Sequence, residues 1–208
     1  MNNIKTKIMK NWKFLTILAI LGGLIVMSFK PIDKKVIVID AGHGGMDSGA
    51  QYNNFAEKQI VLNISEQIKK LNKNSDLEII LLRPDDKAIS LTDRAAKINA
   101  INPDLVLSLH LNKSTNVDSS GIEAFVSEKN TFYDKSKNLA ESFLNKLNFK
   151  ELQNNGVKTK DLHILRTSNC PAILLEIGYL SNTNDRNFIT STLGQKEIAE
   201  KILNAIKD

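Results

Sequence analysis

Four side chains scattered along the sequence could together do metal chemistry. His43 lies in 36-VIVIDAGHGGMDSGA-50 and His110 ends 105-LVLSLH-110, each closing an apolar run that reads as a buried strand. Glu57 opens a helical stretch in 54-NFAEKQIV-61, and Glu176 sits within the apolar run 172-AILLEI-177. An ionised carboxylate in such a run is costly unless it is paired or coordinated. Two imidazoles and one carboxylate are a common catalytic zinc set that leaves a fourth position for water. A second carboxylate can then take and return a proton. Each residue also has an ordinary reading. A histidine can pack beside a sheet, and a glutamate at a helix N-terminus is favourable without any function. Spacing does not choose between the glutamates, because the residues are not packed as His-Glu-x-x-His on one helix.

The elements that must position these groups follow from periodicity. Apolar runs predict strands over 35–40, 77–82, 105–110, 121–126 and 172–177, with a weaker one near 162–166. Ile60, Val61, Ile64, Ile68 and Leu71 repeat at the helical period, as do Leu91, Ala95, Ile98 and Ile101. Leu139, Phe143, Leu144 and Leu147 mark another helix, and Ile198, Ile202, Leu203 and Ile206 mark a last one. Ser90 is placed to cap its helix, with Asp93 in the first turn. Strands alternating with helices predict a single α/β domain: a mostly parallel sheet of about six strands with helices on both faces. Sites in such sheets form at the C-terminal ends of strands, where His43 and His110 both fall.

The glycine-rich loop around His43 is not a dinucleotide fingerprint. Gly42 and Gly44 fit Gly-x-Gly-x-x-Gly, but the third position is Asp47, whose carboxylate would repel a phosphate. The net charge of +5 is not a nucleic-acid signal either. Lys5, Lys7, Lys10 and Lys13 precede a run, 14–29, without any charged residue, and beyond residue 29 there are 24 basic against 23 acidic residues. Basic residues followed by an apolar run are the mark of an export signal or membrane anchor, so residues 1–30 are assigned as leader and 31–208 as the domain. As a helix, the apolar run would be about 24 Å long, against a hydrocarbon core of roughly 30 Å. The expected location is the cell envelope, with membrane contact only through 14–29. Cys170 is the lone cysteine, which excludes an internal disulfide and fits a small core residue.

At this level the sequence resembles a known family. The segments 36-VIVIDAGHGGMDSGA-50, 57-EKQIVLNI-64, 107-LSLHLN-112 and 174-LLEIGYLSN-182 are similar, in order, to the motifs of the zinc-dependent type 3 N-acetylmuramoyl-L-alanine amidases. The arginine-bearing 81-LLRPDD-86 and 91-LTDRAAKINAINPDL-105, and 156-GVKTKDLHILRTSNCPAILLE-176, match as well, so the likeness runs from about residue 35 to the C-terminus. The resemblance implies hydrolysis of the amide between muramic acid and L-alanine in peptidoglycan. It implies one Zn2+ per chain on His43, Glu57 and His110, with Glu176 as general base and then general acid. Asp47 then orients a ligand or fixes its loop, Asn112 touches substrate or caps its strand, and His163 lines the cleft or is structural. Arg83 and Arg94 are expected as internal salt-bridge partners. Some relatives carry an insertion that blocks the zinc until an activator removes it. Here 121–161 has room for one strand, one helix and a short connection, so an uninhibited or weakly regulated domain is expected, one for which an activator protein is a partner the sequence allows but does not require. Two other classes share these features: another zinc hydrolase of wall material, such as a peptidase or deacetylase, and a non-catalytic wall-binding or regulatory protein. Retention of all four residues argues against the latter.

Overall fold

Strand β1 (Lys35–Ala41) is buried from Ile37 onward, as a strand flanked on both edges and covered on both faces must be. The computed structural model describes residues 34–207, so the assignment of residues 1–30 lies outside the described residues. After β1, a short hairpin of β2 (Gln51–Tyr52) and β3 (Phe55–Ala56) leads into helix α1 (Glu57–Leu71). Then come β4 (Leu77–Leu81), α2 (Leu91–Ile101), β5 (Leu105–Asn112), β6 (Ile122–Val126), α3 (Tyr133–Lys146) and β7 (Asn154–Thr159). Helix α4 (His163–Thr167), β8 (Ala172–Tyr179), α5 (Thr183–Thr190) and α6 (Thr192–Lys207) follow. The main sheet has six strands in the order β4-β1-β5-β8-β6-β7, parallel throughout except where β6 meets β8.

The two-residue pleat sorts the side chains. Ile37, Ile39, Leu107, Leu109, Ile173, Leu175, Ile122 and Ala124 point to one face, where α1, α3, α5 and α6 bury their apolar stripes. Val38, Val106, Ala172 and Leu174 point to the other, under α2 and α4. That second face is only partly roofed by helix, and Asp40, His110, Glu123 and Glu176 project from it by the same alternation. Ser90 caps α2 as expected, its Oγ accepting from the Asp93 amide at 3.1 Å, and Asn102 closes that helix with φ of 51°.

Two expectations are corrected. The weak strand near 162–166 is helix α4. Ile164 and Leu165 are both buried on one side, which a strand cannot do, and the Arg166 amide bonds the Leu162 carbonyl at 3.0 Å. The sixth strand is instead β7, 154-NNGVKT-159, which reads as a turn because it is a mostly exposed edge strand with a single partner.

Candidate metal centre

At the end of β1 the chain must turn sharply and still hold its backbone rigid, and two buried arginines do this. Arg94 pairs with Asp40 and donates to the carbonyls of Ala41 (2.9 Å), His43 and Ile89 (3.1 Å). Arg83 is fully buried and donates to the carbonyls of Ala41 (2.8 Å), Gly42 (2.8 Å), Lys58 (2.7 Å) and Asp85 (3.1 Å). Arg94 is thus the expected salt-bridge partner. Arg83 is not: its hydrogen bonds go to backbone carbonyls, and burial followed by repulsion from Arg94 lowers its pKa. Between them they grip the carbonyls of residues 41, 42 and 43, so that His43 is held at a φ of 59°.

Glu57 is the first residue of α1, where the helix dipole favours an anion. Its Oε1 lies 3.0 Å from His43 Nε2, 2.8 Å from His110 Nδ1 and 3.0 Å from the Leu111 amide, while its Oε2 accepts from the Ala50 amide at 2.7 Å. Burial pushes this carboxyl up, but the hydrogen bonds from His110 and His43 outweigh it and bring the pKa down to about 2. The hydrogen bond to Glu57 raises His43 to about 9 against the opposing effect of burial, with Asp47 adding to the rise. The two rings stand edge to face, 5.0 Å apart and at 80°. Two glycines make this convergence possible. A Cβ on Gly42 would lie 2.3 Å from His110 Cε1, and one on Gly49, whose φ is +64°, 2.5 Å from Glu57 Oε2.

One donor atom from each of His43, Glu57 and His110 lies within 4.8 Å of the others. Tetrahedral zinc with ligand bonds near 2.1 Å needs donors about 3.4 Å apart, so this set fits the ion. Beside it, Glu176 pairs in register with His110 across β5 and β8. Its Oε2 is buried without a hydrogen-bond partner among the described residues. Burial first, then the nearby Glu57 and Glu123 charges, raise its pKa to about 7 against the pull of His110 and Lys160. A buried carboxylate left unpaired next to a metal-type donor set is suited to proton transfer.

The remaining sequence candidates separate. Asp47 reaches His43 Nδ1 at 2.8 Å from the side away from Glu57, which fixes the ring so that Nε2 faces the donor cluster. It also accepts from the Gly49 amide at 3.1 Å, so it orients the His43 ring and braces the loop at once. Asn112 is turned aside, donating to Glu123 at 2.8 Å. His163 stands across a cavity of about 440 Å3 that adjoins His43 and His110, its Nδ1 3.2 Å from Arg166 Nη2. Glu123 was missed. It is buried, bound by Asn112 and Lys158, and paired in register with Glu176. The signal was there in 121-GIEAFV-126, a carboxylate inside an apolar strand like that of Glu176. Cys170 is buried in the core, which pushes its thiol up to about 11.

A mostly parallel α/β sheet with a His-Glu-His donor set and a buried carboxylate at its strand ends defines a metal-dependent hydrolase. The family model Amidase_3, N-acetylmuramoyl-L-alanine amidase, matches residues 37–208, and the chain belongs to that family. The chain is similar to protein YqiI of Bacillus subtilis (33% identical over 178 residues, 85% of each chain). It is also similar to the amidase LytC of the same organism (33% over 186 residues, 86% of this chain and 35% of LytC). It spans 60% of the probable cell wall amidase LytH of Staphylococcus epidermidis, at 30% identity over 185 residues and 87% of this chain. Among solved structures, an N-acetylmuramoyl-L-alanine amidase from Clostridium difficile 630 superposes with a TM-score of 0.78 at 33% identity, covering 84% of this chain and 96% of that one. The catalytic domain of CwlV from Bacillus (Paenibacillus) polymyxa var. colistinus gives 0.76 at 30%, covering 83% and 96%.

Proposed function

We propose that this chain hydrolyses the amide between the lactyl group of muramic acid and L-alanine in peptidoglycan. The carrying observation is the convergence of His43 Nε2 and His110 Nδ1 on Glu57 Oε1, beside the unpartnered Glu176 Oε2. His43, Glu57 and His110 would hold one zinc ion per chain. Zinc held there supplies Lewis acidity, which polarises the scissile carbonyl and acidifies water. Asp47 keeps the His43 ring in place by accepting from Nδ1. Glu176 takes one proton from the attacking water as the C–O bond forms. It then gives that proton to the alanine nitrogen as the C–N bond breaks, leaving a carboxylic acid on the glycan side and a free amino terminus on the peptide. Burial without a hydrogen-bond partner among the described residues leaves the Glu176 Oε2 free to accept and return that proton.

The substrate places the enzyme outside the cytoplasm, with residues 1–30 as export signal or anchor and 14–29 as the membrane contact. Helix α3, the one helix between Gly121 and Asp161, packs on the sheet face opposite the donor set, which supports a domain that works without removal of a blocking helix. The test is to incubate the zinc-loaded protein with purified peptidoglycan and read the products by mass spectrometry. Peptides with a free L-alanine amino terminus are expected. Bound zinc with cleavage at another bond would keep the chemistry and overturn the substrate. A folded protein with neither would overturn both.

A further inference from the structure

The cavity of about 440 Å3 beside His43 and His110 is walled mainly by Ala88, Ile89, Leu91, Leu162, Ile164 and Leu174. Polar side chains also line it, and nearly all are committed to one another. Asp40 holds Arg94 and accepts from Ser108 Oγ at 2.9 Å. Arg94 is further engaged with the carbonyls of Ala41, His43 and Ile89. The Ser90 hydroxyl donates to the Asp93 carboxylate at 2.7 Å and accepts from the Asp93 amide at 3.1 Å. Asp47 serves the His43 ring and the Gly49 amide. Outside the donor set, His163 is the one side chain lining the cavity that keeps a hydrogen-bonding atom, Nε2, with no partner among the described residues.

What that atom offers follows from its neighbour. A guanidinium can only donate, and Arg166 Nη2 lies 3.2 Å from His163 Nδ1, so Nδ1 is the acceptor. An imidazole that accepts at Nδ1 carries its proton on Nε2, on the side of the ring turned away from Arg166. Arg166 is itself held by Asp161 at 3.3 Å, and Asp161 by Lys129 at 2.6 Å, so the ring is braced from the surface. The cavity therefore combines apolar walls with one N–H donor. Its lining holds no uncommitted cation among the described residues, while the Asp47 carboxylate stands at its edge. Such a pocket suits an uncharged group with a carbonyl acceptor and disfavours a carboxylate.

On the amidase reading, which this inference deepens, the two halves of the substrate differ in this respect. The peptide half carries carboxylates. The glycan half is uncharged and bears an acetamido group, a methyl and a carbonyl oxygen, on the ring carbon next to the lactyl ether. We propose that this cavity receives the glycan half, with His163 Nε2 donating to the acetamido oxygen of the muramic acid. The zinc-loaded full-length chain is assayed on two muramoyl-peptides that differ only in whether that ring carbon carries acetamido or hydroxyl. Wild type prefers the acetamido substrate by about tenfold in kcat/KM, through KM, as for one hydrogen bond and one buried methyl away from the scissile bond. His163→Phe keeps the ring's bulk without the donor and narrows the preference about fivefold by raising KM for the acetamido substrate, with zinc content and urea midpoint as in wild type. His163→Gln, whose side-chain amide can supply an N–H in place of Nε2, restores most of it. A wild type without preference overturns the subsite, as does a His163→Phe variant that keeps the full preference or slows both substrates equally. Cleavage of neither substrate by wild type is a separate result, which overturns the amidase reading and the subsite with it.

Discussion

Replacing Glu176 by glutamine keeps the side chain's size and removes its charge, which separates two consequences of its burial. In the metal-free protein the carboxyl is raised from 4.5 to about 7, mainly by burial. Its folded pKa lies above its unfolded one, so the native state holds a proton that the unfolded chain has already released between these values. The stability contributed by this group is full below pH 4.5 and is lost as the pH rises through 7. The gap corresponds to about 3 kcal/mol by pH 8.5. Glutamine cannot ionise and loses nothing. Urea unfolding of metal-free wild type and Glu176→Gln should therefore give a stability difference that grows in favour of the variant by about 3 kcal/mol between pH 4.5 and 8.5. Taking the difference cancels the other titrating groups to first order. With zinc bound, the ion's own charge opposes the raised pKa, so the stability arm belongs to the metal-free protein. In the zinc-loaded pair, kcat should fall roughly 10²- to 10⁴-fold with zinc content unchanged. A flat stability difference would refute the burial argument, and retained kcat would refute the proton-transfer role.

Zinc binding should release close to one proton per ion near pH 7.5, because His43, raised to about 9, must give up its proton to become a ligand. Calorimetry in buffers of different ionisation enthalpy measures this, and an absence of buffer dependence would contradict it. Gly42→Ala should weaken zinc binding by displacing His110, since the new Cβ would lie 2.3 Å from its ring; competition with a chromophoric chelator reads the loss. Asp47→Ala should weaken zinc about 10- to 100-fold. Because that side chain is 66% exposed, its unfolding free energy should change by less than about 1 kcal/mol, as denaturant unfolding can check. Arg94→Met leaves Asp40 buried without its cation and should cost about 3–5 kcal/mol of stability.

Much of the fold was legible because the main strands are apolar runs and the main helices keep a clean 3.6-residue stripe. Residues 35–41, 105–112 and 172–179 are central strands, so both faces are apolar and the signal is strong. The edge was not legible. Strand β7 has Asn154, Asn155 and Gly156 at its start and no apolar face of its own beyond Val157, so only its partner β6 makes it a strand. The five-residue α4 was misread for a related reason: two neighbouring apolar residues do not establish a period.

The site was legible by a different route. His43, Glu57, His110 and Glu176 stand out because a polar residue that closes or interrupts an apolar run must be explained by a partner. The parallel register then does what spacing cannot. It brings the ends of β1, β5 and β8 side by side and places His110 opposite Glu176 on one face. Arg83 shows the limit of this reasoning. Its burial was foreseeable, but the choice of four backbone carbonyls over a carboxylate depends on how the 41–43 turn folds. The carbonyls of Gly42 and His43 lie past the end of β1 and still need donors. Two guanidiniums meet that need and hold His43 where Asp47 and Glu57 can reach its two nitrogens. The loop's unusual backbone is therefore what commits both arginines, and through them the core is coupled to the metal centre.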